Sequence, residues 1–264
     1  MAGELRRNSR PPEHVRAGRA DEPALPDDVT GRELDGEARN ALRGLAAPNA
    51  VVVARHLVMA GRLLDDDAEL AWQHARAAQR RAGRIGMVRE AAGLAAYRAG
   101  HFDAALAELR AAKRLTGDSS HLPIMADCER GLGRPERALD LARSAEVRML
   151  DEGGQVEMLI VAAGARRDLG QAEAAVVALQ SPQLRAEGSQ QPWQPRLWYA
   201  YADALAEVGR AAEAQRWFER AAASDHLGET DAEERLTAYD GITFLDEETD
   251  DAENAPVVER PAAD

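Results

Sequence analysis

The residues able to act as nucleophiles or metal ligands are few and scattered. The six histidines, His14, His56, His74, His101, His121 and His226, show neither the His-x-x-x-His nor the His-Glu-x-x-His spacing that turns two imidazoles on one helix face toward zinc. The one cysteine, Cys128, excludes an intramolecular disulfide and any cysteine-rich metal site. It lies in an apolar helical stretch with no nearby histidine to stabilise a thiolate, so a buried, inert thiol is expected. Asp65-Asp66-Asp67 could face a cation, but a tight turn ending in a helix N-cap uses the same residues and is the preferred reading. Gly131-Leu132-Gly133 lies between two helical stretches with no strand before it, so a phosphate-binding loop is not expected there. Asp and Glu are plentiful, yet on alanine-rich helices they read as solvated or ion-paired faces. No catalytic constellation emerges, and neither metal nor cofactor is expected.

Composition points to what positions these residues. Of 264 residues only 4% are aromatic, and alanine dominates, which favours closely packed helices over sheet. Lys113 is the only lysine, an arginine bias of the kind seen in GC-rich actinobacterial genomes. The net charge of −13 is concentrated at one end: Asp225 to Asp264 carries 14 acids and 2 bases, leaving 32 acids against 31 bases elsewhere. Such a balance repels phosphate backbones and argues against nucleic acid as the main partner. The most apolar run, Val51 to Met59, is broken by Arg55 and His56 and is too short to span a bilayer. With no apolar segment after the basic start, a cytoplasmic chain away from membranes is expected.

Residues 1–30, with Arg6, Arg7, Arg10, Arg16, Arg19 and four prolines, lack an apolar period and read as a basic, proline-rich arm without fixed structure. From there Leu34, Ala38, Leu42 and Leu45 recur at helical spacing, and Pro48-Asn49 reads as the end of that helix and the cap of the next. A repeat follows. Gly100, Gly133, Gly170 and Gly209 each close an alanine-rich helix, at spacings of 33, 37 and 39 residues. Seven residues before each is a small residue: Gly93, Ala126, Ala163 or Ala202. Five after each is Ala105, Ala138, Ala175 or Ala214. Four further on sits Leu109, Ala142, Leu179 or Phe218, and then Ala112, Ala145, Pro182 or Ala221. Leu132-Gly133, Glu136, Ala138, Ser144 and Arg148 return 37 residues later as Leu169-Gly170, Glu173, Ala175, Ser181 and Arg185. A more diverged pair precedes these, Asn49–Leu64 and Asp67–Ala82, with Ala71, Ala75 and Ala78 in the second helix.

This pattern resembles the tetratricopeptide repeat family, in which a small residue in a first helix, a turn glycine, and alanine, large residue and alanine in a second let two helices pack antiparallel. Residues 87–117 and 196–224 fit best; Pro135, Ala172 and Ala211 stand where the family has an aromatic residue. The resemblance implies an all-α, right-handed solenoid of about five helix pairs over residues 31–241. Thr230-Asp231-Ala232-Glu233 reads as a capping box opening a terminal capping helix that stops at Gly241. Residues 242–264 read as an acidic tail without fixed structure.

The function the resemblance implies is non-catalytic: a scaffold or adaptor that holds a peptide or partner protein in a concave groove lined by first helices. The matching positions are His56, Glu90, Leu94, Tyr97, Arg98, Asp127, Arg130, Glu157, Arg167, Asp168, Arg196, Tyr199, Asp203 and Glu207. Glu90 and Leu94 stand where chaperone-binding members place the lysine and asparagine of their carboxylate clamp, so chaperone C-termini are not expected ligands. Ion pairing between adjacent repeats competes with partner binding at each charged position. Two further readings stand beside the scaffold: an RNA-binding helical repeat, and a regulatory enzyme using a groove carboxylate or His56. Lastly, Ile242-Thr243-Phe244-Leu245 and the acids from Asp246 could dock in cis on Arg98, Arg130 and Arg167.

Overall fold

The computed structural model describes residues 22–185 and 191–239. Among these residues every regular element is helical and no strand occurs. The chain divides into two compact units between His121 and Leu122, within the stretch read from sequence as one repeat domain.

The first unit contains α1 (Gly36–Ala41), α2 (Ala47–Leu63), α3 (Ala68–Ala82), α4 (Gly86–Arg98) and α5 (Phe102–Thr116). Asp35 caps α1 through Ala38 N at 2.7 Å, and Asp67 caps α3 through Leu70 N at 3.0 Å, each satisfying an otherwise unpaired N–H. The end of the Asp65-Asp66-Asp67 turn thus serves as the expected N-cap. Pro48 does not end a preceding helix; it lies in the first turn of α2, where its missing N–H costs nothing. Neighbouring helices pack in chain order, α2 on α3, α3 on α4 and α4 on α5. Their core is built largely from alanine, with Ala60, Ala75, Ala92 and Ala95 in one cluster and Val53, Leu57, Ala78 and Val88 in another.

The second unit contains α6 (Leu122–Gly131), α7 (Pro135–Ala142), α8 (Glu152–Asp168), α9 (Ala172–Leu179), α10 (Gln194–Glu207) and α11 (Ala211–Ser224). Residues 232–239 are helical as well. Its larger core joins α8 to α11 around Leu179, Leu197, Leu205 and Phe218, all fully buried. Burying a Phe218-sized side chain contributes about 1.5–3 kcal/mol. The Arg220 guanidinium lies 4.7 Å from the Trp198 ring and 4.8 Å from that of Trp217, fastening α10 to α11.

The repeat register is realised as helix pairs. Gly100, Gly133, Gly170 and Gly209 end α4, α6, α8 and α10 with φ of 75°, 69°, 70° and 76°. At each turn the glycine N–H donates to the carbonyl three residues back and the next N–H to the one five back, as in Gly133 to Arg130 and Arg134 to Glu129. Only glycine adopts this left-handed backbone without steric cost, which is why these turns show in the sequence. Ala105, Ala138, Ala175 and Ala214 are all 0% exposed, as are Ala71, Ala75 and Ala78 in the first pair. The closing position differs. α7 and α9 stop at Ala142 and Leu179, so Ala145 and Pro182 fall beyond the helices and are exposed.

Two local expectations are corrected. Thr230 does not cap the last helix; its backbone N–H and hydroxyl both donate to Asp225 Oδ2 at 2.7 Å, and the helix starts after Asp231. Residues 22–30, read as part of an arm without fixed structure, are held to α2 and α3 at a few points, with Ala24, Pro26, Asp27, Asp28 and Thr30 exposed. Val29 is 1% exposed, and Arg55 holds the carbonyls of Leu25 and Pro26. An apolar period is not needed where arginines from a neighbouring helix satisfy the backbone. Gly241, Ile242, Phe244, Leu245 and the acids from Asp246 lie outside the described residues.

Candidate functional site

In the second unit α8 packs beside both α6 and α10. Each of these three helices contributes an arginine, near the C-terminus of α6 and of α8 and in the first turn of α10, and each arginine reaches a carboxylate on another helix. Arg130 of α6 pairs with Asp127 on its own helix at 2.9 Å and forks onto Asp168 of α8 at 2.8 and 3.2 Å. Arg167 of α8 reaches Asp203 of α10 at 2.6 Å and also binds Glu207. Arg196 of α10 donates to Glu157 of α8 at 2.6 and 3.0 Å and to Glu229 in the segment after α11. Arg235, in the last helix, takes the second oxygen of Asp203 at 2.7 Å.

Gly164 explains how Arg130 lies so close to α8. A Cβ there would fall 2.5–2.8 Å from the Arg130 guanidinium atoms. Glycine inside a helix costs about 1 kcal/mol relative to alanine, so its presence in an alanine-rich helix marks this close approach.

The face forms a groove of about 480 Å³. Ile160, Ala163 and Ala200 give it an apolar floor, and Tyr199, Asp203 and Asp231 stand around it with the arginines. Burial alone would lower the pKa of Arg130, Arg167 and Arg196, but the paired carboxylates reverse the effect and raise all three. The Tyr199 phenol is pushed up, first by burial and then by its hydrogen bond to Asp231. Four arginines (130, 167, 196 and 235) share this face with seven carboxylates: Asp127, Glu157, Asp168, Asp203, Glu207, Glu229 and Asp231. Each guanidinium already donates to at least one carboxylate, and a carboxylate can accept about four hydrogen bonds.

Of the residues read from the sequence, Asp127, Arg130, Arg167, Arg196, Tyr199 and Asp203 thus share one unit. Glu90, Tyr97 and Arg98 belong to the other. There Glu90 lies 3.0 Å from His121 Nε2 and raises the pKa of that imidazole. Arg98 pairs with Asp65, and the Tyr97 ring lies 6.0 Å from Phe102. His56 is not a groove-lining residue. It is 1% exposed, its Nδ1 is 2.9 Å from His74 Nδ1, and Glu22 covers its other nitrogen at 3.9 Å. Burial pushes its pKa down to about 4.

Gly164, Glu229 and Arg235 were not singled out in the sequence, and Asp231 only as part of a capping box. A usable signal existed for the pairs themselves: their partners lie 33 to 40 residues apart, about one repeat. No protein-family model matches the chain, and no curated protein matches it.

Proposed function

We propose that this is a diverged tetratricopeptide-like protein, a non-catalytic cytoplasmic scaffold or adaptor. In this reading its helix pairs build a right-handed solenoid, and the α6–α8–α10 face holds an extended segment of a partner protein. Four identical glycine turns and the buried alanines after them support the repeat architecture. Among the described residues no helix is long and apolar enough to cross a membrane.

One observation carries the choice of ligand. Every arginine of the face already donates to carboxylates, and carboxylates outnumber arginines seven to four. A partner therefore supplies donors: lysine or arginine side chains and backbone amides that suit a face richer in carboxylates than in arginines. Phosphates and acidic peptides, the chain's own acidic tail included, would have to displace pairs already made. This weighs against RNA on this face.

A displayed library of random nonapeptides selected on the full-length protein tests the reading. Lysine- or arginine-bearing peptides should be enriched, and Asp203→Asn with Asp231→Asn should abolish the enrichment. Selection of Asp- or Glu-rich peptides, or none, would overturn it.

A further inference from the structure

The segment Glu22-Pro23-Ala24-Leu25-Pro26-Asp27-Asp28-Val29 lies on the first unit and contains no helix. Pro23 and Pro26 remove two backbone donors, and the segment closes a turn in which Val29 N–H donates to Pro26 O at 3.2 Å. What binds it is a set of side chains on α2 and α3, arranged as a peptide-recognition site would be.

The Glu22 carboxylate is 2% exposed and sits in the fork of Arg81, which donates Nε at 3.0 and 3.2 Å and Nη2 at 2.5 Å. A buried carboxylate is tolerated only where such charge-assisted bonds replace its water. His56 Nε2 stands 3.9 Å from Glu22 Oε2, and the His56 ring is held by its contact with His74. Three and four residues on, Arg55 Nη2 reads main chain, donating to Leu25 O at 3.4 Å and Pro26 O at 2.7 Å. Val29 is the apolar anchor, 1% exposed, and Arg62 pairs with Asp28 at the rim at 3.1 Å. The chain then passes so near α2 that a Cβ on Gly31 would lie 2.7 Å from that of Ala54.

We propose that Arg55, His56, Arg62 and Arg81 form a recognition site for an acidic, non-helical peptide, occupied in cis by residues 22–30 and open in trans to a peptide of the same chemistry. A buried carboxylate fork, main-chain reading and one apolar anchor are elements by which folded domains take short non-helical peptides. The cis segment contributes no helix or strand and is held at a few points, which places its opening well below global unfolding. Tethering gives it an effective concentration on the order of millimolar, so a trans ligand gains access when the cis anchor is weakened. The site lies in the first unit and stands or falls independently of the α6–α8–α10 face.

Fluorescence anisotropy with a labelled peptide of the sequence of residues 22–34 and the full-length protein tests this. The Glu22→Gln protein should bind the peptide about tenfold more tightly than wild type, because its own segment competes less. A peptide with Gln in place of its first Glu should bind about tenfold more weakly, and Arg81→Gln protein should bind neither. Circular dichroism checks that the variants keep their helix content. If Glu22→Gln loses helix, the wild-type chain is used, and excess peptide should accelerate hydrogen exchange over residues 24–31. Equal binding of the Glu and Gln peptides, no binding to folded Glu22→Gln at about 1 mM, or exchange unchanged by peptide would each overturn the proposal.

Discussion

Replacing Gly93 by alanine tests the helix-pair register at a close crossing. In an open helix the change stabilises by about 1 kcal/mol, because alanine is the better helix former. Here the new Cβ would stand 2.7 Å from both Cγ and Cδ2 of Leu109 and 3.2 Å from its backbone nitrogen. Leu109 is 1% exposed, so its side chain has nowhere to turn, and its backbone belongs to α5. Overpacking of this kind costs about 1–3 kcal/mol, which leaves Gly93→Ala about 0–2 kcal/mol less stable than wild type. Leu109→Ala alone should cost about 2–5 kcal/mol through the cavity it opens. In the double variant the added methyl group enters that cavity and the clash is gone. The two changes should therefore couple favourably by about 1–3 kcal/mol. Urea denaturation followed by far-UV circular dichroism measures the cycle, and hydrogen exchange of α4 and α5 peptides assigns the change to the first unit. A Gly93→Ala protein stabilised by about 1 kcal/mol, with additive behaviour in the double variant, would refute the α4–α5 crossing.

Acidification should weaken the first unit through His56. Its folded pKa of about 4 lies below the ordinary 6.5, so its contribution is complete above pH 6.5 and is lost as pH falls toward 4. At pH 5 the loss from His56 is about 2 kcal/mol, with His74, also lowered by burial, adding in the same direction. His121, raised by Glu90, acts oppositely. Urea midpoints at pH 7.5 and 5.0 measure the sum, and equal midpoints would contradict the buried histidine pair. In the second unit Ala138, Ala175 and Ala214 are 0% exposed, so replacement by leucine should cost about 1–3 kcal/mol at each. Three variants melting like wild type would show that these alanines do not lie at helix crossings.

The helix pairs were legible because their signals are local or strictly periodic. A glycine at φ near 70° ends each of four first helices, and only that residue suits the turn. The alanine five residues later must be small because another helix passes there, which the period alone reveals. The polar face was legible only in part. Arg130, Arg167, Arg196, Tyr199 and Asp203 were found as positions and ion pairing between adjacent repeats stood as one reading of them, but which carboxylate each arginine takes was not found. Such pairing depends on side-chain reach between helices, and periodicity says nothing of that.

Tertiary structure alone decided the remainder. The division at His121, the burial of His56 and the seat of Glu22 on Arg81 depend on contacts between residues up to 59 apart, with no repeat relating them. Charged and proline-rich residues 22–30 looked unfit to pack by composition, since they lack the apolar surface that offsets ordering. They are ordered because arginines of α2 and α3 replace the water their carboxylates and carbonyls give up. Helix propensity, capping and turn geometry act over a few residues and are written in sequence order. Which buried charge finds which partner is settled only when the helices meet.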